Sequence, residues 1–108
     1  MDDDDARELR QLSAGVFGNR YRAELIAALA AAGDRGICLS DLARARRVPA
    51  SVYHPPVRTL IALGLVERLA PAAGDRRRWY RSCGSTHTWH SLAATVARLQ
   101  EHQPTQAA

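Results

Sequence analysis

The stretch from Ser40 to Val66 constrains this chain more than any other part of it. Ser40 is placed to cap a short helix starting at Asp41, with Leu42 and Ala43 turned inward and Arg44, Arg46 and Arg47 outward. Val48-Pro49 ends that helix, because proline has no amide donor and its ring collides with the preceding turn. A second short helix follows after a tight turn. Its inward set is Val57, Leu60 and Ile61 with Leu63 near the end, and Gly64 supplies a left-handed C-cap. Leu65 to Leu69 then reads as a strand, Pro71 to Asp75 as a run of turn formers, and Arg78 to Ser82 as the returning strand of a hairpin.

The flanks read as longer helices. Asp5 with Glu8 three residues on offers an N-cap, and Leu9, Leu12 and Val16 give a helix from about Ala6 to Val16, with a break near Gly15 to Gly18. Residues 1–5 are then an acidic, flexible N-terminus. Tyr21, Leu25, Ile26 and Leu29 mark a second helix that stops at Gly33, and Ile37-Cys38-Leu39 is short enough to be a single small strand. A last helix runs from about Thr86 to His102 on Trp89, Leu92, Val96 and Leu99, leaving 103–108 as a disordered tail. A chain of 108 residues suits one hydrophobic core. The expected fold is mainly α with a small β-hairpin, about five helices and two to three short strands, in one domain over residues 6–102.

Helix, tight turn, helix, glycine and hairpin is the order of a winged helix-turn-helix. The residues resemble the ArsR-like branch of bacterial transcriptional regulators. That resemblance rests on Leu39-Ser40-Asp41-Leu42-Ala43, on Val57 through Val66, and on a wing ending in Arg78-Trp79-Tyr80. It extends from about Phe17 to Leu99 and does not separate ArsR-like from MarR-like or PadR-like branches. It implies a homodimeric DNA-binding transcription factor, with repression as the expected mode and an effector or protein partner as a further partner class.

Charge points the same way. All 15 basic residues are arginines, and setting aside the four leading aspartates leaves seven acidic residues against them, a balance of +8. Arginine suits bidentate contact with phosphate and guanine, although a solvated basic surface gives the same count. Arg58 and Thr59 lie on the outward side of the second short helix, Arg58 as the expected base contact. Ser51 and Tyr53 at its entrance are read as phosphate contacts and His54 as either, with packing against the first helix as the other reading of Tyr53. Arg76, Arg77 and Arg78 suit a minor groove or its phosphates, while Arg46 and Arg47, with Arg44, suit the backbone or simply a solvated face.

Pro55 and Pro56 depart from the family pattern. Two prolines at that point argue against a straight helix from Ser51, so the recognition helix is expected to start at Pro55 or Pro56, after an extended or turn-like lead-in. The shortened reading face leaves a second reading open, a winged module that binds protein and has lost DNA reading. The seams Leu9, Leu12, Val16 and Trp89, Leu92, Val96, Leu99 fit a two-fold dimer through the terminal helices, or packing within one chain.

Other chemistries find little support. ArsR-like metal sensors carry Cys-x-Cys at the start of the helix near Ser40, and here Cys38 is followed by Ser40 in place of the second thiol. Cys83, His87 and His90 have ligand spacing, and either cysteine could act as a redox switch, but no metal or cofactor is expected. The sequence contains no glycine-rich phosphate loop, paired acidic motif or nucleophile elbow, so an enzyme is not expected. The acidic start lacks the pattern of a secretory signal and no apolar run spans a bilayer, which together predict a cytoplasmic protein without a disulfide or a membrane partner.

Overall fold

At the centre of the molecule lies one helix that is covered from several directions. The computed structural model describes residues 2–101. The end of the last helix at His102 and the tail 103–108 lie outside the described residues. The elements run α1 (Asp3–Phe17), α2 (Arg22–Ala32), β1 (Ile37–Cys38), α3 (Leu39–Arg46), α4 (His54–Ala62), β2 (Val66–Arg68), β3 (Trp79–Ser82) and α5 (Thr86–Glu101). Short 3₁₀ turns at Gly33–Arg35 and Ala50–Tyr53 lead into β1 and α4. The central helix is α2, whose Ala23, Leu25, Ile26 and Leu29 are wholly buried, with α1, α4, α5 and the sheet packed around it.

The three strands form one antiparallel sheet in the order β1-β3-β2, with Ile37 opposite Tyr80, Val66 opposite Ser82 and Arg68 opposite Tyr80. The hairpin is therefore more than a free wing. Its return strand is sandwiched between β2 and the small strand that precedes α3. Trp89 of α5 fastens the base of this hairpin by donating its indole N–H to the carbonyls of Leu65 and Cys83, both at 2.9 Å. No helix among the described residues is long and apolar enough to cross a membrane.

Several element ends differ from the sequence expectation. α1 begins at Asp3, because Asp2 is the N-cap and its carboxylate accepts from the Asp5 amide at 2.8 Å. Asp3, Asp4 and Asp5 form the first turn, where negative charge meets the positive end of the helix dipole. The leading aspartates thus belong to α1 and are no detached segment. The helix also continues through Gly15 and ends only at Gly18, in the left-handed region at φ 74°. α3 starts at Leu39, so Ser40 lies inside its first turn with its hydroxyl 3.0 Å from the Cys38 thiol instead of capping the helix.

The two apolar seams are largely consumed within one chain. Leu9 and Val96 are core residues at 3% and 0% exposure, and Trp89, Leu92 and Leu99 are half-buried against the same core. This corrects the reading of Leu9 and Val96 as dimer contacts: with only 108 residues, α2 needs both terminal helices to cover it. Of the seven seam residues, Val16 alone is an exposed large apolar side chain, at 56%.

Candidate nucleic-acid interface

The reading face is built on a helix that begins with two prolines. α4 starts at His54, so Pro55 and Pro56 fall in the first turn, where backbone amides have no intrahelical acceptor and the fixed φ of proline fits the helix. The 3₁₀ turn Ala50–Tyr53 supplies the lead-in, which is turn-like and not extended. Val57 and Leu60 are buried, while His54, Arg58 and Thr59 are exposed on the opposite side. Ile61, expected to face inward, is 38% exposed on that outer side. The Thr59 hydroxyl donates to the Pro55 carbonyl at 3.1 Å, so its proton is already engaged inside the helix.

Beside α4 lies a cleft of about 340 Å³ lined by His54, Val57, Arg58 and Ile61 from the helix and by Arg68, Arg78 and Tyr80 from the hairpin. Three guanidinium groups thus border one cleft between a helix and a wing. Nothing in the sequence alone singles out Arg68, where Val66-Glu67-Arg68 reads only as a strand. The hairpin register is the signal that finds it, since pairing Arg68 with Tyr80 brings it alongside Arg78.

The wing is held by a small polar hub. Asp75 accepts the Arg77 backbone amide at 2.9 Å, the Arg77 Nε at 3.2 Å and the Trp79 indole at 3.1 Å. The Arg77 amide first, and then its guanidinium and the indole, hold the Asp75 carboxyl below the usual carboxylate range. Arg77 also reaches Asp41 of α3 at 3.2 Å and lies 5.3 Å from the centre of the Trp79 ring. Its guanidinium is committed to the protein, whereas Arg76 and Arg78 are exposed with no such ion pair among the described residues. Replacing Asp75 by asparagine removes the charge that gathers these donors. The expected result is faster tryptic cleavage among Arg76, Arg77 and Arg78 with the global unfolding midpoint unchanged; an unchanged cleavage rate would rule the hub out as the wing's restraint.

Tyr53 is not a surface residue. It is fully buried, with its hydroxyl donating to the Glu24 carboxylate at 2.7 Å and its ring edge-on to Tyr21 at 5.8 Å. This corrects its reading as a phosphate contact in favour of packing. Glu24 is 1% exposed on α2 and takes two more bonds from Arg10 of α1, at 2.6 and 3.3 Å. Arg10 in turn lies 4.9 Å over the Tyr21 ring. Burial, with the bond to Glu24, pushes the Tyr53 phenol up, and the same carboxylate raises the Arg10 guanidinium. Because Tyr53 ionises less readily folded than unfolded, its contribution is complete below about pH 10, the ordinary tyrosine value, and is lost progressively above it. Urea titrations from pH 8 to 11 are expected to show that alkaline loss, and Tyr53→Phe is expected to reduce its slope. An equal slope in both proteins would place the titration elsewhere.

The remaining expected contacts are scattered. Ser51 is exposed in the lead-in turn and Arg47 is exposed at the end of α3, while Arg46 is half-buried there. Arg46 and Arg47 share a cleft with Asp2, Asp3 and Arg10, so the acidic start of α1 lowers the local potential beside them. Cys38 is buried and Cys83 donates to the Gly64 carbonyl at 3.5 Å. His87 and His90 are not gathered with Cys83 into a three-donor cluster among the described residues.

A helix-turn-helix whose second helix is flanked by a paired hairpin defines a winged helix-turn-helix fold. The same fold occurs in S. aureus MepR. In its complex with DNA, MepR is 16% identical to this chain, with 89% of this chain and 76% of that one covered and a TM-score of 0.59. A MepR variant bound to an oligodeoxyribonucleotide is 14% identical, with 96% and 80% covered and a TM-score of 0.60. No family model matches the chain, and no curated protein matches it. At such identities the likeness establishes the winged fold and does not distinguish the ArsR-like branch from others.

Proposed function

We propose that this protein is a sequence-specific, double-stranded DNA-binding transcriptional regulator, acting as a homodimeric repressor. α4 enters the major groove, and the wing rests on the flanking backbone or minor groove. One observation carries the reading: Arg58, Arg68 and Arg78 border a single cleft between α4 and the wing. A helix in the major groove beside a wing in the next minor groove leaves a phosphodiester strand between them; Arg68 and Arg78 neutralise it, while Arg58 faces the bases from α4. That MepR, which has the same fold, is solved in complex with DNA supports the DNA-binding reading.

Roles divide by position. Arg58, exposed on α4, reads a base; His54 and Ser51 at the helix entrance, with Arg47, meet phosphates, and Arg46 is a weaker candidate for the same role. Arg68, Arg76 and Arg78 hold the backbone, and Arg77 shapes the wing through Asp75 and Asp41. The dimer seam that remains available is the outer side of α1 at Leu12 and Val16 with the half-buried edges of Trp89, Leu92 and Leu99 on α5. The protein-binding alternative rests on Pro55 and Pro56, which sit in the first turn of a continuous α4 and so give it less weight.

Selection of bound duplexes from a random pool tests the proposal and yields half-site spacing. Against the selected duplex, Arg58→Ala is expected to weaken binding by about 1–3 kcal/mol and relax preference at one position. Arg68→Ala is expected to weaken selected and random duplexes alike and to reduce the slope of log affinity against log salt by about 1. Absence of any duplex binding at low salt would refute the regulator reading.

A further inference from the structure

We infer that the buried trio Arg10, Glu24 and Tyr53 is a positioning device for the recognition helix, setting sequence discrimination without touching DNA. The inference rests on the DNA-binding reading above and deepens it. Tyr53 is the residue immediately before α4, and its hydroxyl is tied at 2.7 Å to a carboxylate that is 1% exposed on the central helix. Arg10 of α1 spans both oxygens of that carboxylate, with Nε on Oε1 at 2.6 Å and Nη2 on Oε2, the oxygen that also accepts from Tyr53, at 3.3 Å. The entrance of α4 is thereby referenced to both α1 and α2 through directional bonds.

Packing alone does not provide that reference. Val57 and Leu60 hold α4 against the core, but apolar contact is non-directional and tolerates sliding of a short helix along its own groove. Base readout needs side chains held to within about 0.5 Å and 10–20°. A carboxylate that accepts two bonds from a guanidinium and a third from a phenol fixes both distance and angle. Apolar trios of the same volume often hold a core about as well as a buried ionic one, so stability is a weak reason for burying a charge here. Register is the better reason, because Arg58 is one helical turn from His54 and inherits any tilt of the helix start.

The test uses the full chain, the duplex selected from a random pool and a scrambled duplex of equal length, at a temperature where circular dichroism shows every variant folded. Tyr53→Phe keeps the ring and removes the hydroxyl; Glu24→Gln keeps the shape and removes the charge. Each is expected to lower affinity for the selected duplex roughly tenfold, leave the scrambled duplex unchanged and leave the salt slope unchanged, since no phosphate contact is lost. Ser13→Ala is the control. Ser13 is an equally buried polar joint between α1 and α2, donating to the Asn19 carbonyl at 2.6 Å and accepting from the Ala23 amide at 2.9 Å, with no hydrogen bond to α4 or its lead-in turn. It is expected to reduce stability with no change in the selected-to-scrambled ratio. If Glu24→Gln fails to fold, the nearly isosteric Tyr53→Phe decides alone. An unchanged ratio in folded Tyr53→Phe overturns the inference while leaving DNA binding intact, and failure of the wild-type chain to bind any duplex overturns both.

Discussion

Replacing Glu24 by alanine is expected to lower the free energy of unfolding by about 3–5 kcal/mol, a large share of the roughly 5–15 kcal/mol that holds an ordinary domain together. The reason is the company the carboxylate leaves behind. Arg10, whose side chain is 14% exposed, would keep its charge without an acceptor, and the Tyr53 hydroxyl, in a residue with no exposed surface, would lose its acceptor too. The Tyr53 hydroxyl cannot turn to water without moving the lead-in turn, and Arg10 has only the cleft it shares with Asp2 and Asp3 to turn toward. The effect belongs to the unpaired partners and not to the lost charge alone. Replacing all three at once, with Glu24→Leu, Arg10→Met and Tyr53→Phe, is therefore expected to recover most of the stability that the single change removes. Urea denaturation followed by circular dichroism reads both outcomes. A loss under about 1 kcal/mol for the single alanine variant would mean that the trio is relaxed or hydrated, and its assigned role at the entrance of α4 would go with it.

How much of this is legible from residue order depends on what the order encodes. Periodicity and breakers mark elements, so the two short helices, the glycine after α4 and the hairpin can be read directly, and the winged arrangement follows. Pattern does not say what covers a face. Leu9, Val96 and Val16 form one kind of stripe, yet the first two are buried inside the chain and the third is 56% exposed. The alanine-rich run of α2 reads as amphipathic, whereas it is a helix enclosed on most sides, and enclosure is what turns Glu24 into half of a buried pair. Tyr53 misleads for the same reason: an aromatic residue with a polar tip suits either a phosphate or a core carboxylate, and only the partner decides. The arginines are easier in number than in role. Arg77 looks interchangeable with Arg76 and Arg78 along the chain, but a carboxylate two residues back and another on α3 commit it to the wing.

The second large effect is expected at Gly36. Its backbone, at φ 73° and ψ −177°, lies in a region open essentially to glycine alone, and a Cβ there would stand 2.5 Å from the Tyr80 carbonyl oxygen and 3.1 Å from the Leu69 side chain. The nearer neighbour is main chain in the middle strand of the sheet, paired on both sides, so it cannot rotate away. Backbone strain contributes about 1–3 kcal/mol and the forced separation of β1 from β3 adds to it, so Gly36→Ala is expected to lose more than about 3 kcal/mol. Gly15 is the internal comparison. It lies within α1, where an added Cβ would meet nothing within 4 Å, so Gly15→Ala is expected to stabilise by about 0.5–1 kcal/mol. Opposite signs for one chemical change would tie the loss at Gly36 to the approach of β1 to β3. Because β3 carries Trp79 and Tyr80 directly after Arg78, any folded fraction of Gly36→Ala is also expected to show faster tryptic cleavage of the wing. A variant as stable as the parent would mean that the strand beside the wing yields easily, and a wing so loosely held could not keep Arg78 and Arg68 on one cleft.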